Sequence, residues 1–274
     1  MAWTEITRRK YRREGQRYAS DLTDGEWGLI EPFMPRRRRL GRPRMTELRE
    51  VVNAILYLAS GGNSWRALPR DFPAVSTVRG YFYAWAKDGT WPRINHALVM
   101  AARVREGRQA SPSAGVIDSQ SVKTTESGGP RGFDAGKKIK GRKRHIVVDT
   151  QGHLVGLQVH PADIQDRDGA VGVLASIRKL YPWLRHIFAD GGYAGDKLKR
   201  ALTEHGRWTV QIVKRCDTVK GFEVLPRRWV VERTFAWLNR CRRLAKDFEA
   251  TIESAVAWIF IAHIRILTRR LARL

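Results

Sequence analysis

The chain has 274 residues, 43% of them hydrophobic, which is ample for a buried core and excludes global disorder. Lysine and arginine number 51 against 27 aspartates and glutamates, a formal net charge of +24; such an excess points to a polyanionic partner, nucleic acid above all, because each neutralised phosphate releases a condensed counterion. Cys216 and Cys241 lack metal-ligand spacing and any disulfide framework, the apolar stretch from Ala255 to Ala262 is far shorter than the roughly 20 residues of a membrane span, and Met1 is not followed by an apolar leader, so a reduced, cytoplasmic protein without a membrane anchor is expected.

Residues 1 to 108 read as helical, opening on a basic arm (Arg8, Arg9, Lys10, Arg12, Arg13, Arg17) with little apolar periodicity and expected to be loose without DNA. Thr23 and Glu26 have capping-box spacing ahead of Trp27, Leu29, Ile30 and Phe33, and Pro35 closes that short helix. Between Thr46 and Ala59, Leu48, Val51, Val52, Ile55, Leu56 and Leu58 recur at helical spacing until Gly61 and Gly62 stop the run. A third segment breaks at Pro69 and Pro73 and restarts at Ser76, with Val78, Tyr81, Phe82 and Trp85 as its apolar face. Three helices with short connections are compatible with a helix-turn-helix, and equally with a packing or dimerisation domain.

Residues 109 to 115, with Ser111, Pro112 and Ser113, read as a linker, and strand periodicity starts behind it. Val116 to Asp118, His145 to Val148 and Leu154 to Val159 form three β-type runs, the last two joined by the turn Asp149-Thr150-Gln151-Gly152. A helix from Arg167 to Leu180, a strand from His186 to Ala189, a helix from Ala194 to His205 and a strand from Trp208 to Val213 follow. The order β-β-β-α-β-α-β predicts an α/β domain of ribonuclease H-like type, a mixed sheet flanked by helices, over residues 116 to 250, with a basic C-terminal helix over 251 to 274.

In so basic a chain, a carboxylate closing an apolar strand needs a reason, since burying an unpaired charge is costly. Asp118 follows Val116-Ile117 and Asp190 follows His186-Ile187-Phe188-Ala189. On neighbouring strands they would converge, and their repulsion would favour a divalent cation with hard oxygen ligands, Mg²⁺ or Mn²⁺; singly, each also reads as a turn or cap residue. Reading Leu225 to Phe248 as one helix places Val231, Thr234, Leu238, Cys241 and Ala245 on the sheet side and Glu232 opposite, with Arg228, Ala236, Asn239 and Arg243. Glu232 is then either a surface ion-pair partner of Arg228 or the third ligand. Asp163, Asp166 and Asp168 precede a helix and read as capping residues, with Asp166 close enough in order to reach the site, and Asp149 belongs to a turn. No histidine spacing suggests zinc, and no nucleophile elbow is present.

The ordered set Leu22-Thr23-Asp24 through Trp27, Gly41-Arg42-Pro43-Arg44, Trp65-Arg66-Ala67-Leu68-Pro69, Asp118-Ser119-Gln120-Ser121-Val122-Lys123, Gly141-Arg142-Lys143-Arg144-His145, Ala189-Asp190-Gly191-Gly192-Tyr193 and Trp229 through Leu238 resembles the bacterial insertion-sequence transposases of the DDE type, insertion sequence five family, over almost the whole chain. The resemblance implies that Asp118, Asp190 and Glu232 are catalytic and hold two Mg²⁺ or Mn²⁺ ions, with double-stranded DNA as partner, both the element's terminal inverted repeats and the target, and a homodimer assembled on it. Relatives carry a Tyr, Arg, Glu, Lys pattern on the Glu helix; Arg228 matches the Arg, Leu225 stands at the Tyr and Asn239 at the Lys, with Arg240 or Arg243 as substitutes. The interval of 42 positions from Asp190 to Glu232 leaves no room for a large inserted domain. Lys123, Lys137, Lys138, Lys140, Arg142, Lys143 and Arg144 crowd the region behind the first Asp and are expected to clamp phosphates, or to be a solvated basic hairpin. The rival readings are a nuclease of ribonuclease H-like type that cuts without joining, and a DNA-binding protein with an idle site.

Overall fold

The computed structural model describes residues 4–5, 12–13, 15–36, 43–213 and 228–273. The readings at Arg8, Arg9, Lys10, Gly41, Arg42, Cys216 and Leu225 lie outside the described residues. Helix α1 (Asp24–Ile30) starts as its capping box requires: the Glu26 N–H donates to Thr23 Oγ1 at 3.3 Å and the Thr23 N–H to Glu26 Oε2 at 3.1 Å. Two arginines of the supposedly loose arm are pinned. Arg13 donates to both Glu26 oxygens, at 2.5 and 2.8 Å, and Arg17 pairs with Glu50 at 2.6 Å while lying 4.3 Å over the Phe72 ring. Acidic partners far along the chain override the lack of local periodicity there.

Helix α2 (Leu48–Gly61) buries Leu48, Val51, Val52, Ile55, Leu56 and Leu58 and ends where Gly62 takes a left-handed conformation, φ 72°. Helices α3 (Val75–Lys87) and α4 (Thr90–Arg105) are separated by a bend at Gly89, φ 75°. The C-terminal helix, basic in composition, is largely buried: Phe82 of α3 stacks on its Trp258 at 4.6 Å. A polar triad ties the helices to the sheet. The His263 Nδ1–H donates to Asn95 Oδ1 (2.6 Å), Asn95 Nδ2 donates to the Leu154 carbonyl (2.9 Å), and the Leu154 N–H donates to His263 Nε2 (3.1 Å). Burial holds the His263 imidazole well below its ordinary pKa, so it stays neutral and can accept at Nε2.

The sheet has six strands: β1 (Ala114–Lys123), β2 (Gly132–Asp134), β3 (Ile139–Asp149), β4 (Leu154–Pro161), β5 (His186–Ala189) and β6 (Thr209–Ile212). Helices α5 (Asp166–Ile177) and α6 (Asp196–Thr203) join β4 to β5 and β5 to β6; α7 (Trp229–Leu238) and α8 (Ile252–Leu271) follow. The main order is β4-β3-β1-β5-β6, antiparallel from β4 to β1 and parallel from β1 to β6, with short β2 on the start of β3. This is the predicted mixed α/β arrangement with β2 added. Strands β1 and β3 run well beyond their apolar cores because polar residues such as Ser121, Arg142 and Arg144 find partners inside the protein. The expected helix over Leu225 to Phe248 is shorter: α7 ends at Leu238, and a separate 3-10 turn spans Arg242–Leu244.

Asp149, read as a turn residue, accepts the N–H groups of Gln151 and His153, both at 2.9 Å, and is fully buried in an ion pair with Arg103 of α4. Replacing Arg103 by Met should leave that charge unpaired in the interior and cost about 3–5 kcal/mol of unfolding free energy. Urea unfolding at pH 7 checks this, and a loss under 1 kcal/mol would show that the pair is dispensable.

Candidate active site

Parallel pairing of β1 with β5 builds the site. Val116 is in register with Phe188, so Asp118 and Asp190 stand at matched positions two residues further along adjacent strands. There the strands part company: β5 ends at Ala189, and Asp190 caps the turn Gly191–Tyr193 by accepting the Gly192 N–H at 2.8 Å. Asp118 stays within β1 and accepts the N–H of Ser119 at 2.7 Å. Burial, aided by the neighbouring Asp190 charge, pushes the Asp118 carboxyl up to about 6, although the Ser119 N–H, Lys137 and Arg228 pull the other way.

Glu232 stands on the outward face of α7 and is linked to Asp190 through Arg228. Val230, Val231, Thr234, Phe235 and Leu238 are buried, while Trp229, Glu232 and Ala236 face outward. The helix docks on the β3–β4 turn, with Thr234 Oγ1 donating to the Gly152 carbonyl at 3.0 Å and Arg233 to that of Gln151 at 2.7 Å. Arg228 links the acids: its Nη2 lies 3.7 Å from Asp190 Oδ2 and 4.0 Å from Glu232 Oε1, and its charge is felt at Asp118. As placed, no three carboxylate, imidazole or thiolate groups among the described residues are close enough to grip a metal ion. The donor chemistry nevertheless fits a hard divalent cation, because Asp118 and Asp190 are carboxylates close enough to feel each other's charge.

A fourth acid lies beside them. Asp166, read as a capping residue, makes no cap hydrogen bond; the N-cap of α5 is Gln165. Its carboxylate accepts from Ser119 Oγ at 2.8 Å and pairs with Lys143 at 2.9 Å. Burial alone would raise its pKa, but these two donors hold it below the ordinary carboxylate range. The sequence signal was adjacency to the helix start, which capping explained equally well. Beneath it, the His160 Nδ1–H donates to the Pro161 carbonyl at 2.8 Å, leaving His160 Nε2 to accept from the His145 Nδ1–H at 2.7 Å. Burial and the neighbouring His160 bring His145 down to about 3, so it is neutral at any working pH.

The expected phosphate clamp divides in two. Lys123, Lys137, Lys138 and Lys140 are exposed, and Lys137 donates to the Ser119 carbonyl at 3.2 Å, next to Asp118. Arg142, Lys143 and Arg144 are buried instead. Arg142 pairs with Asp247 at 3.0 Å, Lys143 lies between Asp166 and Asp134, and Arg144 donates to the carbonyls of Leu244 and Lys246. Arg243, expected on the stripe of Glu232, is buried against Glu249 because the helix has already ended; exposed Arg240 lies just past that end. As arranged here, these four buried cations serve the interior, a correction to their reading as phosphate contacts.

Residues 109–267 match the family described as "Transposase DDE domain". The chain belongs to the DDE transposase family. Residues 22–95 match a second family, described as "Putative transposase of IS4/5 family". A segment of 116 residues, 40% of this chain and 54% of the relative, is 32% identical to the "Putative transposase for insertion sequence element IS402" of Burkholderia cepacia. Another of 82 residues, 30% of this chain and 63% of the relative, is 29% identical to an uncharacterised protein of Sinorhizobium fredii. The matches thus span under two thirds of each of these relatives. No described helix is long and apolar enough to cross a membrane.

The raised pKa of Asp118 favours its protonated form in the fold, so its stabilising contribution is full below the ordinary value of 3.8 and is lost as pH rises through about 6. Asp118→Asn should therefore stabilise the metal-free protein at pH 7.5 by about 1–3 kcal/mol, with the gain vanishing below pH 4; equal denaturation midpoints across this range would contradict the assigned environment. A methyl group on Gly169 would come within 2.5 Å of the His145 ring. Gly169→Ala should cost about 1–3 kcal/mol in chemical denaturation, and an unchanged midpoint would mean that the histidine pair yields freely.

Proposed function

We propose that the chain is a transposase that binds the terminal inverted repeats of its insertion sequence, cuts DNA there and joins the freed end to target DNA. The observation carrying this reading is that Asp118 and Asp190 lie at matched positions two residues past the paired stretch of parallel β1 and β5, with Arg228 between Asp190 and Glu232. Support for a ribonuclease H-like domain comes from the β4-β3-β1-β5-β6 order, antiparallel and then parallel. The residues that would hold Mg²⁺ or Mn²⁺, two ions per site, are Asp118, Asp190 and Glu232. Such a pair would activate an attacking oxygen and stabilise the departing one.

The protein's own side chains divide the remaining work. Asp118 is set in the β-ladder, while Asp190 is held by the Gly192 N–H, so both oxygens are positioned before any ligand arrives. Glu232, 58% exposed on α7, is the acid with most freedom to close on a bound cation, and Arg228 would pass from the carboxylates to a phosphate oxygen as it does so. Lys137 stands nearest to Asp118 among the exposed lysines and would neutralise the strand being cut, with Lys123, Lys138 and Lys140 taking neighbouring phosphates. On α3 the outward stripe Ser76, Arg79, Tyr83 and Lys87 suits a helix that reads the terminal repeat, in the helix-turn-helix manner. The basic N-terminal helical region would thus recognise ends and the α/β region cut them. Holding two ends calls for a homodimer on DNA, acting in the cytoplasm on the nucleoid.

Asp118→Asn, Asp190→Asn and Glu232→Gln should each abolish Mg²⁺-dependent cutting and joining of duplexes carrying the inverted repeats that flank the reading frame, while gel-shift affinity for those duplexes stays within threefold of wild type. Full cleavage by any of the three would remove that residue from the site. Cut products that never join a target plasmid would reduce the activity to that of a nuclease.

A further inference from the structure

A second cationic site lies on the flank of α7 and has no part in the acid site. A cleft of about 430 Å³ opens between α7 and α8, lined by Trp237, Arg240, Arg265, Arg269, Arg270 and Arg273. Five guanidinium groups thus share one wall, and no carboxylate lines it. Three of them make the following contacts inside the protein. Arg269 donates to the Ala19 carbonyl at 2.7 Å, Arg265 to Cys241 Sγ at 3.7 Å, and Arg270 to Glu106 at 3.4 Å. Arg265 Nε is buried and has no hydrogen-bond partner among the described residues. Burial, then the charges of Arg265, Arg13 and Arg273, pull even Arg269 down to about 10.

Structural duty alone does not account for this arrangement. Cations in the last turn of a helix are favoured by its dipole, which covers Arg269 and Arg270. Arg265, Arg269 and Arg273 however repeat at four-residue intervals, a spacing at which like charges repel. The cleft wall is also stiff. Trp237 is covered by Arg233 at 4.4 Å on the ring and by Arg270 at 5.4 Å, so guanidinium planes are pre-set and lose little freedom on binding. Such a wall suits a ligand with repeated negative charges and oxygen acceptors in a row.

We infer that this arginine cleft binds the phosphate backbone of duplex DNA flanking the reacting phosphate. The position follows from α7: Trp237 is five residues beyond Glu232, a rise of about 7–8 Å and a turn of about 140°. One helix therefore joins the two sites, yet the cleft faces aside from the acids and takes neighbouring DNA. Backbone contacts of this kind position the duplex without reading its sequence.

The inference rests on the reading of the chain as a DNA-processing protein, and the test separates the two. Binding of the full chain to a 30-base-pair duplex lacking any terminal repeat is measured in EDTA as a function of salt, for wild type and for the double variant Arg240→Gln/Arg269→Gln. The double variant should bind at least tenfold more weakly at 0.1 M salt, with a log–log salt slope shallower by about 2, near 0.9 per lost phosphate contact. An unchanged slope in a folded double variant, with wild-type cleavage intact, overturns the cleft and leaves the proposed function standing. Wild type that neither binds nor cuts DNA overturns both. Should the double variant fail to fold, phenylglyoxal labelling of wild type decides: duplex DNA should protect Arg240, Arg269 and Arg273 at least fivefold, whereas equal labelling with and without DNA, or protection by inorganic phosphate but not by DNA, overturns the inference.

Discussion

Two carboxylates just past the paired stretch of two parallel strands repel each other at the point where one strand stops and the other goes on. That repulsion organises the site. The pairing of Ala114–Val116 with His186–Phe188 brings the chain at Asp118 and Asp190 side by side, two residues past the last paired positions. The available responses are to neutralise one carboxyl or to bring in a cation. Both are visible: Asp118 holds its proton to about 6, and Arg228 stands within ion-pair distance of Asp190 and Glu232. A guanidinium on the end of a helix is a counter-charge that can leave, as the proposed binding of divalent cations would require.

The same accounting explains how so cationic a chain folds. Arg142, Arg144 and Arg243 are taken inside, where carbonyl oxygens, Asp247 and Glu249 accept from their guanidinium groups, although Arg144 Nε has no partner among the described residues. These arginines bind the irregular stretch between α7 and α8 to β3 and to the end of α2. Glu232 is therefore held by a frame whose own joints are ion pairs. The helical and sheet regions are also welded together, by the Asn95, His263 and Leu154 triad and by the stacking of Phe82 on Trp258, so motion of α8 is coupled to both.

What could be read from the residues in order was whatever rests on local periodicity and turn chemistry. The capping box at Thr23, the apolar face of α2 with its glycine stop, the β3–β4 turn at Asp149, and the alternation of strands and helices behind residue 114 all follow from interactions within a few residues. An acid at the end of an apolar run stands out in a basic chain, and Asp118 and Asp190 were singled out in this way; Glu232 was singled out on the outward face of a helix, and family likeness implied all three.

Only the tertiary structure decided which charges face water. Arg142 and Lys140 look alike in sequence, yet one sits against Asp247 in the interior and the other is exposed, because partners more than 100 residues away determine the difference. Asp166 was indistinguishable from a helix cap until Ser119 and Lys143 were seen to hold it, and Arg243 changed sides because α7 stops at Leu238. Local sequence sets backbone preference through short-range sterics and hydrogen bonds, whereas the environment of a charge is set by whatever the fold brings against it, and that is a property of long-range packing.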